Sequence, residues 1–311
     1  MEHAKKILYI GIVFIFLTGI ICFTYTRKVS LKEPVFLKHY SEFLFPFIAK
    51  EDRLTKEDIT QLNGQSDMFY TDLQFVLQYL TNRDNTSVTK LDLGLGDEFE
   101  VVVSDQPFTP QYSYSYDLVS DGAADSYGLY QLHPLYVYIM YTKEAPPNES
   151  ILITDAQVTY SDGTTDQINL GKIMLRFADE HTIYESETLS LLGETSFANQ
   201  YLFEYDIASA IAECSFYDEI ASNLTLLSNK TSFKSGDTLQ IKKDSILDMM
   251  LIQPKGDILT RYTTYNINLS LTYEDNQVTK QLIIPLTNYG NDMVFTYGNI
   301  RNYLSQRGDI E

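Results

Sequence analysis

Chemistry needs a few polar side chains held close together, and the candidates for this in the 311-residue chain are scattered. His39, His133 and His181 lie far apart, and none belongs to a His-Glu-x-x-His helix, so local spacing writes no zinc ligand set. Each is expected to be a surface or packing histidine. Gly94-Leu95-Gly96 lacks the third glycine and the strand-to-helix context of a dinucleotide site, and no Gly-Lys-Ser/Thr phosphate loop occurs. There is no Gly-x-Ser-x-Gly nucleophile turn, and Cys214 has no neighbouring histidine to activate it. Asp117, Asp121 and Asp125 could gather oxygens around a hard cation, but their spacing differs from a helix-loop-helix calcium loop, and turn residues are the favoured reading. The sequence thus names no catalytic, cofactor-binding or metal-binding residue.

One stretch has a pattern suited to contact. Tyr112, Tyr114 and Tyr116 recur with period two, so on an extended strand they project to one side and Ser113 and Ser115 to the other. With Tyr127 and Tyr130 nearby, they form a candidate binding surface, because tyrosine offers broad contact area at low entropy cost and keeps a hydroxyl for a glycan or protein. The equally weighted alternative is a row lining the interior of a sandwich. Arg307-Gly308-Asp309 spells an adhesion tripeptide, for which a frayed C-terminus is the default expectation.

The elements that must carry these residues begin with a membrane segment. Ile7 to Tyr25 is a 19-residue run without charge, flanked by Lys5-Lys6 and Arg27-Lys28. As a helix it spans roughly 28 Å, close to the hydrocarbon thickness of a bilayer. Phe23-Thr24-Tyr25-Thr26 offers no small-x-small cleavage pattern, so an uncleaved anchor is expected rather than a signal peptide. The basic residues after the run, Arg27, Lys28, Lys32 and Lys38, outnumber Lys5 and Lys6 before it, which by charge alone favours a cytoplasmic domain. Long downstream domains translocate largely regardless of nearby charge, and the expectation is a single-pass protein with its domain outside.

Beyond residue 28 the composition is acidic and tyrosine-rich. The chain has 42 Asp and Glu against 23 Lys and Arg. Residues 1–28 hold one acidic and four basic groups, so 41 acidic and 19 basic groups remain after them, a net of −22. Such a surface repels phosphate backbones and anionic lipid headgroups, and no nucleic-acid partner is expected. There are 24 Tyr and 17 Phe but no Trp, a bias that suits half-buried pleated strands. Cys22 lies in the apolar run and Cys214 stands alone in the domain, so stability must come from packing rather than an intradomain disulfide.

Strand patterns dominate the rest. A short helix is expected near 55 to 62, after the start signal Thr55-Lys56-Glu57-Asp58. Leu73 to Leu80 and Val88 to Leu93 read as a hairpin, and Ser161-Asp162-Gly163-Thr164 as a tight turn between Ile151 to Tyr160 and Gln167 to Leu170. Ile207, Ala210, Ile211, Cys214 and Tyr217 have helical spacing, with a strand as the alternative. Further strands are expected at Leu224 to Leu227, Thr238 to Lys242, Tyr262 to Tyr273, Gln281 to Leu286 and Met293 to Tyr297, and turn signals at this spacing favour antiparallel sandwiches. A duplication is suggested by Leu77 to Arg83 against Leu224 to Lys230, and by Thr159 to Asp162 against Thr272 to Asp275.

At Leu77 to Thr89, at Thr159 to Ile173 with its Ser-Asp-Gly turn and Gly171-Lys172, and at Lys234 to Ile241, the chain resembles uncharacterised membrane-anchored proteins of Gram-positive bacteria. The resemblance implies an extracytoplasmic β-sandwich at a bacterial surface and brings no activity or functional residues. The expected architecture is mainly β. A transmembrane anchor with short flanks (1–28) precedes one or two antiparallel Ig-like β-sandwich modules, the first at 29–178 with a Tyr-rich insertion at about 104–128 and the second at 179–311.

The expected function is that of a non-enzymatic binding or scaffolding protein tethered to the bacterial cytoplasmic membrane, accessory to an envelope process or membrane complex. Its partners would be the bilayer through residues 7–25 and an envelope protein or glycan, with no cofactor. The alternative is an envelope glycan-processing enzyme whose two carboxylates converge only in the fold.

Overall fold

The computed structural model describes residues 2–45, 72–82, 87–106, 125–143, 149–179, 181–184, 189–193, 196–252, 257–288 and 295–310. The helix expected at 55 to 62 lies outside them. Helix α1 (Glu2–Val29) leads into β1 (Val35–Phe36), β2 (Lys38–Phe45), β3 (Asp72–Asn82), β4 (Val88–Asp92), β5 (Phe99–Ser104), β6 (Asp125–Tyr127), β7 (Tyr130–Tyr141), β8 (Ile151–Tyr160) and β9 (Thr165–Phe177). There follow β10 (Thr182–Tyr184), β11 (Leu189–Gly193), β12 (Ser196–Leu202), β13 (Ile207–Cys214), α2 (Tyr217–Ile220), β14 (Leu224–Ser228), β15 (Thr231–Phe233), β16 (Thr238–Ile241) and β17 (Ile246–Ile252). The chain closes with α3 (Ile258–Arg261), β18 (Thr263–Asp275), β19 (Val278–Asn288) and α4 (Tyr297–Arg307). The fold is mainly β, in several largely antiparallel sheets behind one apolar helix.

Local chemistry accounts for the clearest hairpin. Tyr160 N–H donates to the Thr164 carbonyl at 2.9 Å, and Gly163 N–H to the Tyr160 carbonyl at 2.9 Å. Gly163 takes φ 84°, the left-handed conformation glycine adopts without a Cβ penalty. Asp162 Oδ1 accepts from the Thr164 amide, which closes the turn between β8 and β9.

Two expectations need correction, and one left open between helix and strand falls to the strand. Leu73 to Leu80 and Val88 to Leu93 do not pair. β3 pairs with β1 and β7 while β4 pairs with β8, so the chain crosses between sheets there. The segment with helical spacing is β13, whose register shifts between Ile207 and Ala210. One extra residue at that irregularity turns a period of two into an apparent step of three. Of the last expected strand, Met293 to Tyr297, the first two residues lie outside the described ones; Phe295 and Thr296 are not in a strand, and α4 begins at Tyr297.

The sheets stack with the largest in the middle. One outer sheet runs β1-β3-β7-β5, with β6 also on β7, and another runs β11-β12-β17-β14-β15. The middle sheet runs β10-β19-β18-β2-β9-β8-β4, with β13 on β18 and β16 on β13. The outer sheets are antiparallel, but the middle one has parallel contacts at β10 with β19, β18 with β2 and β2 with β9. Strand β2 is therefore the seam of the molecule. It sits between the last strand of the 29–178 stretch and a strand more than 200 residues away.

Both faces of β2 are covered, each by a different core. Phe43 and Phe45 pack with Phe75, Leu77, Val137, Ile173 and Leu175 under the first outer sheet. Tyr40, on the opposite face, stacks on Tyr265 at 5.9 Å in the core shared with Leu226, Met249 and Leu269. Alternation along a strand sends successive side chains to opposite faces, so one strand can serve two cores.

The two stretches are wired alike. Hairpin β8–β9 and hairpin β18–β19 both lie in the middle sheet, and the second strand of each takes a parallel partner from the start of its stretch, β2 on β9 and β10 on β19. The sequence matches at Thr159 to Asp162 and Thr272 to Asp275 fall at the ends of β8 and β18, and the other pair starts in β3 and β14.

Candidate functional site around the end of the apolar helix

A third core collects around the last turn of α1. It contains Leu31, Val35, Leu37, Leu80, Tyr130, Leu132, Ile258, Tyr262, Ile300, Tyr303, Leu304 and Ile310. These come from the first forty residues, from β3 and β7, and from α3, α4 and the C-terminal residues. α1 continues straight into it, with Val29 only 1% exposed.

Polar contacts clamp the helix end. Tyr130 is 0% exposed, and its hydroxyl donates to the Val29 carbonyl at 2.7 Å. This carbonyl belongs to the last helical turn, where no intrahelical donor remains, so the tyrosine acts as a C-terminal cap delivered from β7. Burial first, then neighbouring Tyr297 and Tyr25, push the Tyr130 hydroxyl up to about 12, which keeps it a donor. Asn82 holds Leu31 from both sides, accepting from its amide at 3.1 Å and donating to its carbonyl at 2.6 Å. One turn earlier, the Tyr25 and Tyr297 hydroxyls meet at 2.7 Å, and the Arg301 guanidinium sits 5.4 Å from the centre of the Tyr25 ring.

Helix α4 supplies three of the twelve residues of the core of this collar. The Thr296 hydroxyl accepts from the Asn299 amide at its N-terminus, and Gly308 closes it at φ 85° with the Asp309 amide bonded back to Leu304. Ile300, Tyr303 and Leu304 fill its buried side. Tyr297 stacks on Tyr130 at 5.7 Å, and a Cβ at Gly128 (φ 67°) would come within 2.6 Å of the Tyr297 ring. Glycine is thus required where the β6–β7 turn meets α4.

The adhesion-like tripeptide is folded in rather than frayed. Arg307 donates to the Phe36 carbonyl at 2.8 Å and to the Tyr303 hydroxyl at 2.9 Å, and its Nε lies 2.8 Å from Asp309. Cap and spacing signals for this helix, Thr296, Ile300, Tyr303, Leu304 and Gly308, stand in the sequence and were legible as such.

Of the candidate binding tyrosines, Tyr112, Tyr114 and Tyr116 lie outside the described residues. Tyr127 is half-buried, with its ring 5.8 Å from Phe295. Tyr130 offers no face to a ligand, since it is consumed as the cap on α1.

The histidines stay apart. His133 stacks on Tyr79 at 5.0 Å and shares a 3.0 Å hydrogen bond with Thr81, and the His181 amide donates to Asp179. Among the described residues no group of three His, Cys, Asp or Glu side chains is placed to hold a metal. The Cys214 thiol is pushed up to about 12 by burial and then by Glu42, which keeps it protonated and unreactive.

The seam strand carries a buried polar set of its own. Glu42, with its side chain 2% exposed, pairs with Arg176 at 3.1 Å, and Arg176 reaches Gln281 on β19 at 3.3 Å. His39 is buried beside Ser41, and burial pushes its pKa down to about 4. A folded-state pKa below the unfolded value of 6.5 means the folded protein prefers the neutral ring. The contribution is fully present above pH 6.5 and is lost as pH falls towards 4, amounting to about 3 kcal/mol over the window. Urea unfolding in detergent from pH 7 to pH 4 should show this loss in the native chain, and His39→Gln should flatten the difference. Parallel curves for the two proteins would place His39 in contact with solvent.

No family model matches the sequence, and no curated protein matches it. Among solved structures, the chain overlaps the major pilin subunit of Bacillus cereus with a TM-score of 0.21 at 8% identity, covering 70% of this chain and 61% of the pilin. It overlaps the YadV chaperone with a TM-score of 0.22 at 8% identity, covering 81% of this chain and 99% of the chaperone. The CupB2 chaperone of Pseudomonas aeruginosa gives 0.17 at 8% identity, with 69% and 92% covered. Overlaps of this size establish neither common descent nor shared activity.

Proposed function

We propose that this chain is a membrane-tethered scaffolding or binding protein, with its domain outside the cytoplasm, that serves an envelope process or membrane complex as an accessory. The observation that carries this reading is the collar. Val29 and Leu31 are core residues, and Tyr25 is bonded to α4. A signal peptide is removed from the mature protein, whereas this helix end is needed to complete a core, which favours an uncleaved anchor. α1 is also long and apolar enough to cross a bilayer, at a mean hydropathy of 2.0 over Tyr9–Val29.

A helix clamped at its base sets the height and heading of the domain above the membrane. A flexible tether would only keep it nearby, so fixed geometry suits a part that must meet a partner held in the same membrane.

The test has two arms. Protease added to intact cells should digest the domain; protection until lysis would place it in the cytoplasm. A six-residue Gly-Ser insertion between Lys28 and Val29 keeps the tether and frees the domain. Crosslinking in native membranes should recover a partner with the native chain, and recovery should drop about tenfold with the insertion, as expected when effective concentration is lost. Equal recovery would overturn the role of the rigid mount.

A further inference from the structure

The collar also places α4 relative to the bilayer, an inference that rests on reading α1 as the membrane span. The apolar run ends at Tyr25, so its ring lies where hydrocarbon gives way to headgroups. Tyr297 is bonded to it at 2.7 Å, which brings the first turn of α4 to the same level. Arg301, exposed and one turn further along α4, lies over the Tyr25 ring. Arg27 and Lys28 follow on α1 itself, both exposed.

This end differs in charge from the rest of the domain. The net charge beyond residue 28 is −22, yet residues 295–311 balance Arg301 and Arg307 against Asp309 and Glu311. Asp309 is paired with Arg307. Asp257, on the neighbouring α3, is occupied in capping that helix. Among the described residues no carboxylate forms an ion pair with Arg301. An acidic domain mounted rigidly on an anionic membrane would be repelled by it, and positive charge at the contact level answers that repulsion.

We propose that the first turns of α4 rest on the bilayer surface, where Arg301, stacked on the Tyr25 ring, binds the phosphate of an anionic phospholipid headgroup. Arginine suits this place because its planar fork meets two phosphate oxygens while its flat face packs on the Tyr25 ring. Tyr25 and Tyr297 frame the site at the depth that tyrosine favours in membranes.

The purified full-length chain is reconstituted into phosphatidylcholine vesicles containing a minority of phosphatidylglycerol, and the motionally restricted fractions of spin-labelled phosphatidylglycerol and phosphatidylcholine are compared. The native chain should prefer phosphatidylglycerol, and Arg301→Gln should reduce the preference about fivefold, the effect expected of one basic group at the surface. Arg301→Lys should restore part of it, since charge is kept while the fork and the stacking face are lost, which separates charge from any fault in folding. A preference unchanged in Arg301→Gln overturns the proposal, as does its loss to inorganic phosphate but not to chloride of equal ionic strength, which would assign the site to free phosphate. Release of the native chain from vesicles by alkaline extraction would instead sink the spanning helix itself, whereas retention without lipid preference sinks only the headgroup site.

Discussion

Gly171→Ala should destabilise the protein by at least about 3 kcal/mol, whereas Gly163→Ala should cost only about 1 to 2 kcal/mol, the penalty for a side chain in left-handed backbone. Both glycines have positive φ, 89° and 84°, so that penalty is common to the pair. They differ in what a Cβ would meet. At Gly163 nothing lies within 4 Å, while at Gly171 it would stand 2.3 Å from the His39 carbonyl oxygen and 2.9 Å from the His39 nitrogen. Those atoms belong to the backbone of β2, the register partner of Gly171, and no rotamer change relieves the clash. The strand would have to move, and β2 joins β9 to β18. Urea unfolding of the full chain in detergent reads the difference directly. Equal losses for the two variants would mean that β9 and β2 approach less closely than described.

Arg176→Met should cost about 3 to 5 kcal/mol, the usual result of stripping the partner from a buried charge. The asymmetry of the pair decides this: the Glu42 side chain is 2% exposed and that of Arg176 is 28%. Arginine therefore keeps some water while the carboxylate depends on its neighbours. Adding Glu42→Gln to Arg176→Met removes the orphaned charge and should recover most of the loss. Gln281 and Asn268, which donate or accept around this pair, are left in place by both changes. If the two single variants lose little and their effects simply add, the carboxylate is hydrated and the seam is wet. Strong recovery in the double variant would show that the cost of Arg176→Met lies in the orphaned Glu42 charge.

Much of the fold could be read without coordinates because its signals are local. An apolar run flanked by basic pairs makes a helix whatever follows it, and Asp162-Gly163 closes a hairpin through bonds that span four residues. Where the reading failed, a long-range partner or an irregularity had intervened. The bulge in β13 left a strand and a helix both readable, and the β3 to β4 connection, which looked like a hairpin turn, crosses between layers instead. α4 had cap and spacing signals, but its apolar residues are few and acquire their meaning only from the surfaces they cover.

The collar shows the division most plainly. Sequence alone determined that one apolar helix precedes a β-rich, acidic domain, since hydropathy, alternation and charge act through neighbours a few residues apart. Which tyrosines are structural was decided only in the tertiary structure. Tyr25 and Tyr297 are 272 residues apart and Tyr130 is 101 residues from Val29, and nothing in their local sequence marks them for these contacts. A side-chain hydroxyl is a cap or a surface group according to what the folded chain sets beside it, and that depends on contacts no local pattern encodes.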